Sequence, residues 1–209
     1  MRASLQLALR GAILAGLFAP AAAMAELACS ATTVIGNPDD ITLSFKVCGD
    51  QFIGTATAKS TGWVAVGFST DQYMPGTDVF MAGVLSDGTP YGSDRFAYFR
   101  SPPVLDGQQD ASLSSASESN GITGFTFSRP LSTGDAMDHD LTVGSYYILL
   151  AYNEISDSLT DRHTFADPSS IAYTFAPVPV PEPSGALMAV AGLVLLGARL
   201  AKRRRATQG

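Results

Sequence analysis

The chain has 209 residues and a formal net charge of −6, but its charges are unevenly spread. Residues 26–176 carry six Lys or Arg against eighteen Asp or Glu, a net of −12, while most of the basic residues stand near the two ends. So acidic a segment repels phosphate backbones, which excludes nucleic acid as a partner, and its length suits one domain.

The first elements in the chain are a targeting segment and a cysteine pair. Arg2 and Arg10 precede an apolar run over 11–23, which ends in Ala23-Met24-Ala25. A basic region, an apolar region and a small-x-small site in that order predict a secretory signal peptide over 1–25. A short anchoring helix is the alternative, and the shortness of the run argues against it. Cys29 and Cys48 come next. In an oxidising compartment two cysteines pair most simply as a disulfide, here tying the N-terminal segment to the stretch ITLSFKVC. A thiolate metal site is the weaker alternative, because the spacing is long and no histidine is near.

The middle of the chain alternates with period two, as half-buried strands do. Strands are predicted at 41–48, 51–58, 63–69, 79–85, 95–99, 111–117, 123–128, 146–153 and 171–175. Cys48-Gly49-Asp50, Ser86-Asp87-Gly88 and Asn120-Gly121 mark turns between them. Asn-Gly is the strongest of these, because both residues tolerate positive φ. No stretch of residues 26–176 shows helical periodicity. Many short strands in about 150 residues predict an all-β, antiparallel β-sandwich.

The C-terminal part is a second targeting element. A proline-rich linker at 177–183 interrupts regular structure, since proline lacks the amide donor and fixes φ. A hydrophobic helix is predicted over 184–201, short for a membrane span unless Arg199 snorkels. Lys202, Arg203, Arg204 and Arg205 open a basic tail over 202–209, as expected at a cytoplasmic end. Pro181-Glu182-Pro183, a short apolar helix and an arginine cluster, in that order, resemble the PEP-CTERM sorting signal of Gram-negative bacteria. That resemblance implies export, transient anchoring in the inner membrane, and cleavage by an exosortase-type enzyme. Release to the cell surface or the extracellular matrix would come after. A plain C-terminal anchor is the alternative.

Several phrases of the middle segment together resemble the DOMON domain. They are GWVAVGFS at 62–69, MPGTD at 74–78, VLDGQQD at 104–110, FTFSRPL with TGDAMD at 125–138, and ILLAYN at 148–153. One departure is Gly134, where relatives with a structural cysteine read T-C-D. The resemblance implies an immunoglobulin-like sandwich whose known members bind heme or sugars or sit beside redox enzymes. The heme-binding branch is similar to the cytochrome domain of cellobiose dehydrogenase. It implies a non-covalent heme b held by a methionine in the loop after the GW strand and a histidine after the late A-Y strand. Met74 and His163 occupy those two positions here. Thioether sulfur and imidazole nitrogen would fill both axial sites of the iron, leaving none for oxygen and suiting electron transfer. No C-x-x-C-H is present to attach heme covalently.

Other residues stand as candidates beside these two. Trp63, Tyr73, Phe80 and Tyr152 are candidate pocket walls, although each suits a sandwich core, and for Trp63 the core is the expected place. Tyr98 stands with them, and Met81 suits core or pocket wall equally. Arg100 and Arg129 are candidates to pair with heme propionates. His139 is a rival ligand, ranked low because Asp138 and Asp140 suggest a solvated acidic turn; Met137 is expected to be idle. Asp71, Asp78 and the stretch 157–161 match no calcium-loop spacing and are expected to be turn formers and solvated charge. No catalytic constellation is present, so an electron carrier or binding domain is expected rather than an enzyme. Its partners would be a redox protein or small electron donor, with extracellular polysaccharide as the alternative. A carbohydrate-binding or purely structural surface module is the competing reading.

Overall fold

The computed structural model describes residues 28–179, together with Leu193, Leu196 and Arg199, which are helical. The chain divides into two units, Glu26–Pro181 and a second made of Met1–Ala25 with Glu182–Gly209. The predicted signal peptide, the Pro181-Glu182-Pro183 motif and the basic tail lie outside the described residues, as does the rest of the segment predicted as a hydrophobic helix. Among the described residues no helix is long and apolar enough to cross a membrane.

Residues 28–179 form two antiparallel sheets. One has the order β1-β2-β3-β9-β8, from β1 (Thr33–Asn37), β2 (Ile41–Cys48), β3 (Gln51–Ala58), β9 (Ile122–Pro130) and β8 (Ser112–Ser119). The other has the order β11-β10-β4-β5-β6-β7. Its strands are β11 (Phe165–Tyr173), β10 (Tyr146–Tyr152), β4 (Val64–Ser69), β5 (Thr77–Val84), β6 (Pro90–Ala97) and β7 (Val104–Leu105). Turn chemistry sets the register. Gly49 (φ 60) closes the β2–β3 hairpin so that Cys48 faces Gln51, and Asn120 (φ 54) with Gly121 (φ 74) closes β8–β9. Both residues of that second turn have the positive φ a type I′ hairpin needs. Cys29 and Cys48 are joined by a disulfide.

The core lies between the sheets and is built by alternation. Ile41, Leu43, Phe45 and Val47 point inward from β2, and Phe125 and Phe127 from β9. From the facing sheet come Val64, Val66, Phe68, Phe80, Ile148 and Leu150. Phe80 stacks on Phe127 with centroids 5.1 Å apart, and Phe52 meets Phe68 edge-on at 5.1 Å. Each such ring contributes roughly 1.5–3 kcal/mol through burial.

The predicted strands match where alternation is clean and fail at edges. β1 and the two-residue β7 were not predicted; both lie at the sheet margins, where little needs to be apolar. β6 begins at Pro90 rather than Arg95: Tyr91-Gly92-Ser93-Asp94 reads as a turn, and pairing with β5, which leaves only Asp94 of the four buried, makes it strand. β11 starts at Phe165, earlier than predicted. Pro168 is tolerated there because it lies on an edge strand, beside a register shift between Tyr147 and Leu149.

Candidate functional site

β4 and β5 are buried at every position, on both faces. One face belongs to the core. The other carries Ala65, Gly67, Val79 and Met81; with Trp63 just before β4 and Ala151 on β10 they line a space above the sheet, where Ala65, Gly67 and Ala151 are the smallest residues. A cavity of about 630 Å³ fills that space. Its rim comes from three loops, through Tyr73 and Met74, through Arg100 and Pro103, and through Arg162 and His163. Gly67 is required beneath it, since a Cβ there would come within 2.5 Å of Thr77 Cγ2.

The loop bearing Met74 is held by its own polar side chains. Asp71 Oδ1 accepts from Tyr73 N at 2.8 Å, and Ser69 Oγ and Thr77 Oγ1 both donate to Tyr73 O. Thr77 N donates to Met74 O at 3.1 Å, and Gly76 (φ 80) donates its N–H to Ala97 O at 2.7 Å. His139 Nε2 donates to Gly76 O at 2.7 Å, which fixes the loop from the far side. The residues flanking His163 are tied as firmly. Asn153 Nδ2 donates to Arg162 O at 2.7 Å, and Thr164 N donates to Tyr152 O at 2.9 Å. Burial, helped by the neighbouring Arg162, holds the His163 pKa below its ordinary value. A neutral imidazole has a free lone pair, as a ligand must.

The two predicted ligand positions therefore open onto one cavity, although they are far apart in sequence. Trp63 and Tyr73 also line it; Trp63 is buried in a second apolar cluster with Ala65, Val79 and Met81, so its core place holds and it is pocket wall as well, its indole Nε1 buried with no hydrogen-bond partner. Phe80 and Tyr152 do not line it. Both point the other way, Phe80 onto Phe127 and Tyr152 onto Phe165 at 5.2 Å, because a shift of one residue along a strand reverses the face. Met81, on the opposite face from Phe80, is the wall instead. Arg100 lines the cavity with its guanidinium 5.8 Å from the centre of the Tyr73 ring. Arg129 does not; it is buried and bonded to Asp78. Asp78 is thus no solvated turn residue, being 2% exposed, and the Asp138 side chain is buried too. His139 packs on Tyr146 and stands outside the cavity lining.

Sequence reasoning missed Arg162, Pro103 and the small floor residues. One signal for the floor was present: in GWVAVGFS the alternate residues are Trp, Ala and Gly on one face and Val, Val and Phe on the other. Past Trp63, that strand is large on one side and small on the other, which leaves room over the small side.

Known proteins resemble the same part of the chain. The model of the DOMON domain matches residues 38–153. This chain belongs to the DOMON family. Among curated proteins, the DOMON chain is 37% identical over 109 residues to DBH-like monooxygenase protein 2 of Mus musculus, covering 51% of this chain and 17% of that protein. It is 29% identical over 121 residues to DBH-like monooxygenase protein 1 of Homo sapiens, covering 58% and 20%. The DOMON chain thus spans at most about a fifth of the length of these relatives. Among solved structures, it resembles the cytochrome b domain of pyranose dehydrogenase from Coprinopsis cinerea. The TM-score is 0.48 and the identity 18%, over 64% of this chain and 77% of that one.

Proposed function

We propose that this DOMON domain binds one b-type heme in the cavity, with Met74 and His163 as axial ligands, and works as an exported single-electron carrier. The observation that carries the reading is that a thioether and an imidazole, from distant loops, border the same apolar cavity. The donor set fits the group. The volume lies within the roughly 300–1,000 Å³ of cofactor pockets, and Ala65, Gly67 and Ala151 leave a flat floor. Arg100 and Arg162 stand at the rim, where carboxylates of a bound porphyrin would need cations.

Bound there, heme supplies reversible one-electron chemistry at iron. The chain's own residues set its terms. The Met74 sulfur favours the reduced metal, and the neutral His163 nitrogen is available without losing a proton. Val79, Met81 and Trp63 exclude water from the floor. Both loops are held by backbone and side-chain hydrogen bonds, so little reorganisation accompanies a change of charge. The electron's donor and acceptor are other molecules, and the chain carries rather than catalyses. Export fits the same reading: the N-terminal segment, the PEP-CTERM-like end and the acidic surface suit a cell-surface or matrix protein processed by an exosortase-type enzyme.

A carbohydrate-binding role is the second reading. Tyr73, 60% exposed at the cavity mouth, with Tyr98 and Phe99 also exposed, offers aromatic faces for sugar rings. One experiment separates the two. Oxidised and reduced spectra of the full chain, expressed with heme supplied, should show low-spin b-type bands. Met74→Ala and His163→Ala should each turn them high-spin or lose them. A colourless protein that takes up no added hemin would remove the cytochrome reading and bring the sugar reading forward.

A further inference from the structure

A second site lies inside the sandwich, apart from the cavity. Asp78 on β5 shares the inward parity of Phe80, and Asp94 on β6 is the cross-strand partner of Phe80. Arg129 comes from the inward face of β9, and Asp138 from the turn beyond it. One carboxylate oxygen from each aspartate lies within 4.8 Å of the others. Asp78 Oδ2 accepts from Arg129 Nη1 and from His139 N, and Asp94 Oδ2 accepts from Ala111 N at 2.8 Å. Arg129 Nη2 donates to His139 O at 2.9 Å and stands 3.8 Å from Asp138 Oδ2. Asp138 Oδ2 itself is buried with no hydrogen-bond partner, on a side chain only 2% exposed.

The charges do not balance. Three carboxylates face one guanidinium, an excess of two negative charges out of water, where each uncompensated charge costs several kcal/mol. Either two protons or one divalent cation makes up the deficit. A divalent cation would take the buried, unpartnered Asp138 oxygen as a ligand. The limit of 4.8 Å between these oxygens admits calcium, whose ligands at about 2.3–2.6 Å from the ion stand up to about 5 Å apart.

We propose that Asp78, Asp94 and Asp138 form a calcium site, with Arg129 balancing the third carboxylate. The ion would pin the acidic turn around Asp138 to β5 and β6. The site does not depend on what the cavity holds.

The test uses the full chain, freed of metal with a chelator and dialysed against calcium or magnesium at about 1 mM, within the range of extracellular calcium modules. One calcium per chain and a raised Tm are expected, with a smaller response to magnesium. Asp138→Asn should abolish both effects, and Asp39→Asn, at an exposed position, should change neither. Should Asp138→Asn fail to fold, Asp94→Asn supplies a second variant and should lose the same calcium-dependent rise in Tm. No bound calcium at that concentration, or undiminished binding by a folded Asp138→Asn or Asp94→Asn variant, would each overturn the proposal.

Discussion

Phe80 and Met81 are adjacent on β5 and belong to different parts of the molecule, which makes Phe80→Ala informative. Phe80 is 3% exposed, stacks on Phe127 at 5.1 Å and tilts against Phe125 at 5.8 Å. Truncation removes a buried ring, leaves a void between the sheets and breaks two aromatic contacts. Such changes cost about 3–5 kcal/mol, with the pairs alone supplying about 0.5–1.5 kcal/mol each. For a domain of this size a Tm fall of roughly 6–20 °C is expected. The assay is urea and thermal unfolding of wild type and variant, then hemin uptake well below the variant's Tm. Uptake should survive, because the Phe80 side chain points away from the cavity. A cost under about 1 kcal/mol would refute the core placement. Loss of uptake by folded protein would refute the division of β5 into a core face and a cavity face.

With divalent ions chelated, stability should rise as pH falls from 8 towards 5. The folded pKa values of Asp78 and Asp94, raised by burial to about 6 and 7, exceed the unfolded value of 3.8, so the native state binds more protons in that window. His163, its folded pKa lowered, acts in the opposite sense. Unfolding of Asp94→Asn across the same range should show a flatter slope, and an unchanged slope would exclude Asp94 as its source. Reducing Cys29–Cys48, which spans 19 residues, should cost about 3 kcal/mol, read as the difference in urea midpoint with and without reductant. An unchanged midpoint would mean the bond does not restrain the unfolded chain.

How far the site was legible depends on the range of each interaction. MPGTD and the histidine after ILLAYN are local phrases, so Met74 and His163 were readable as candidates, but nothing local says that their loops meet over one sheet. Phe80 and Tyr152 were misread because aromatic character does not reveal which side of a strand is the cavity. That is settled by parity counted from the neighbours, and Phe80 pairs its parity with Val66 and Phe127. Arg129 and Asp78 were misread for a related reason. Each looks like a surface charge alone, and only β9 packing over β5 puts them against each other inside the sandwich.

Alternation over 41–58 and the turns at Gly49 and Asn120-Gly121 were enough to determine β2, β3 and the β8–β9 hairpin. Side-chain parity and positive φ act between neighbours in the chain. The edge strands β1 and β7, the early start of β11, the two-sided burial of β4 and β5, and the grouping of Asp78, Asp94 and Asp138 were decided by tertiary structure. Their stabilities rest on burial, and burial depends on residues that are remote in sequence and adjacent only when the sheets have paired.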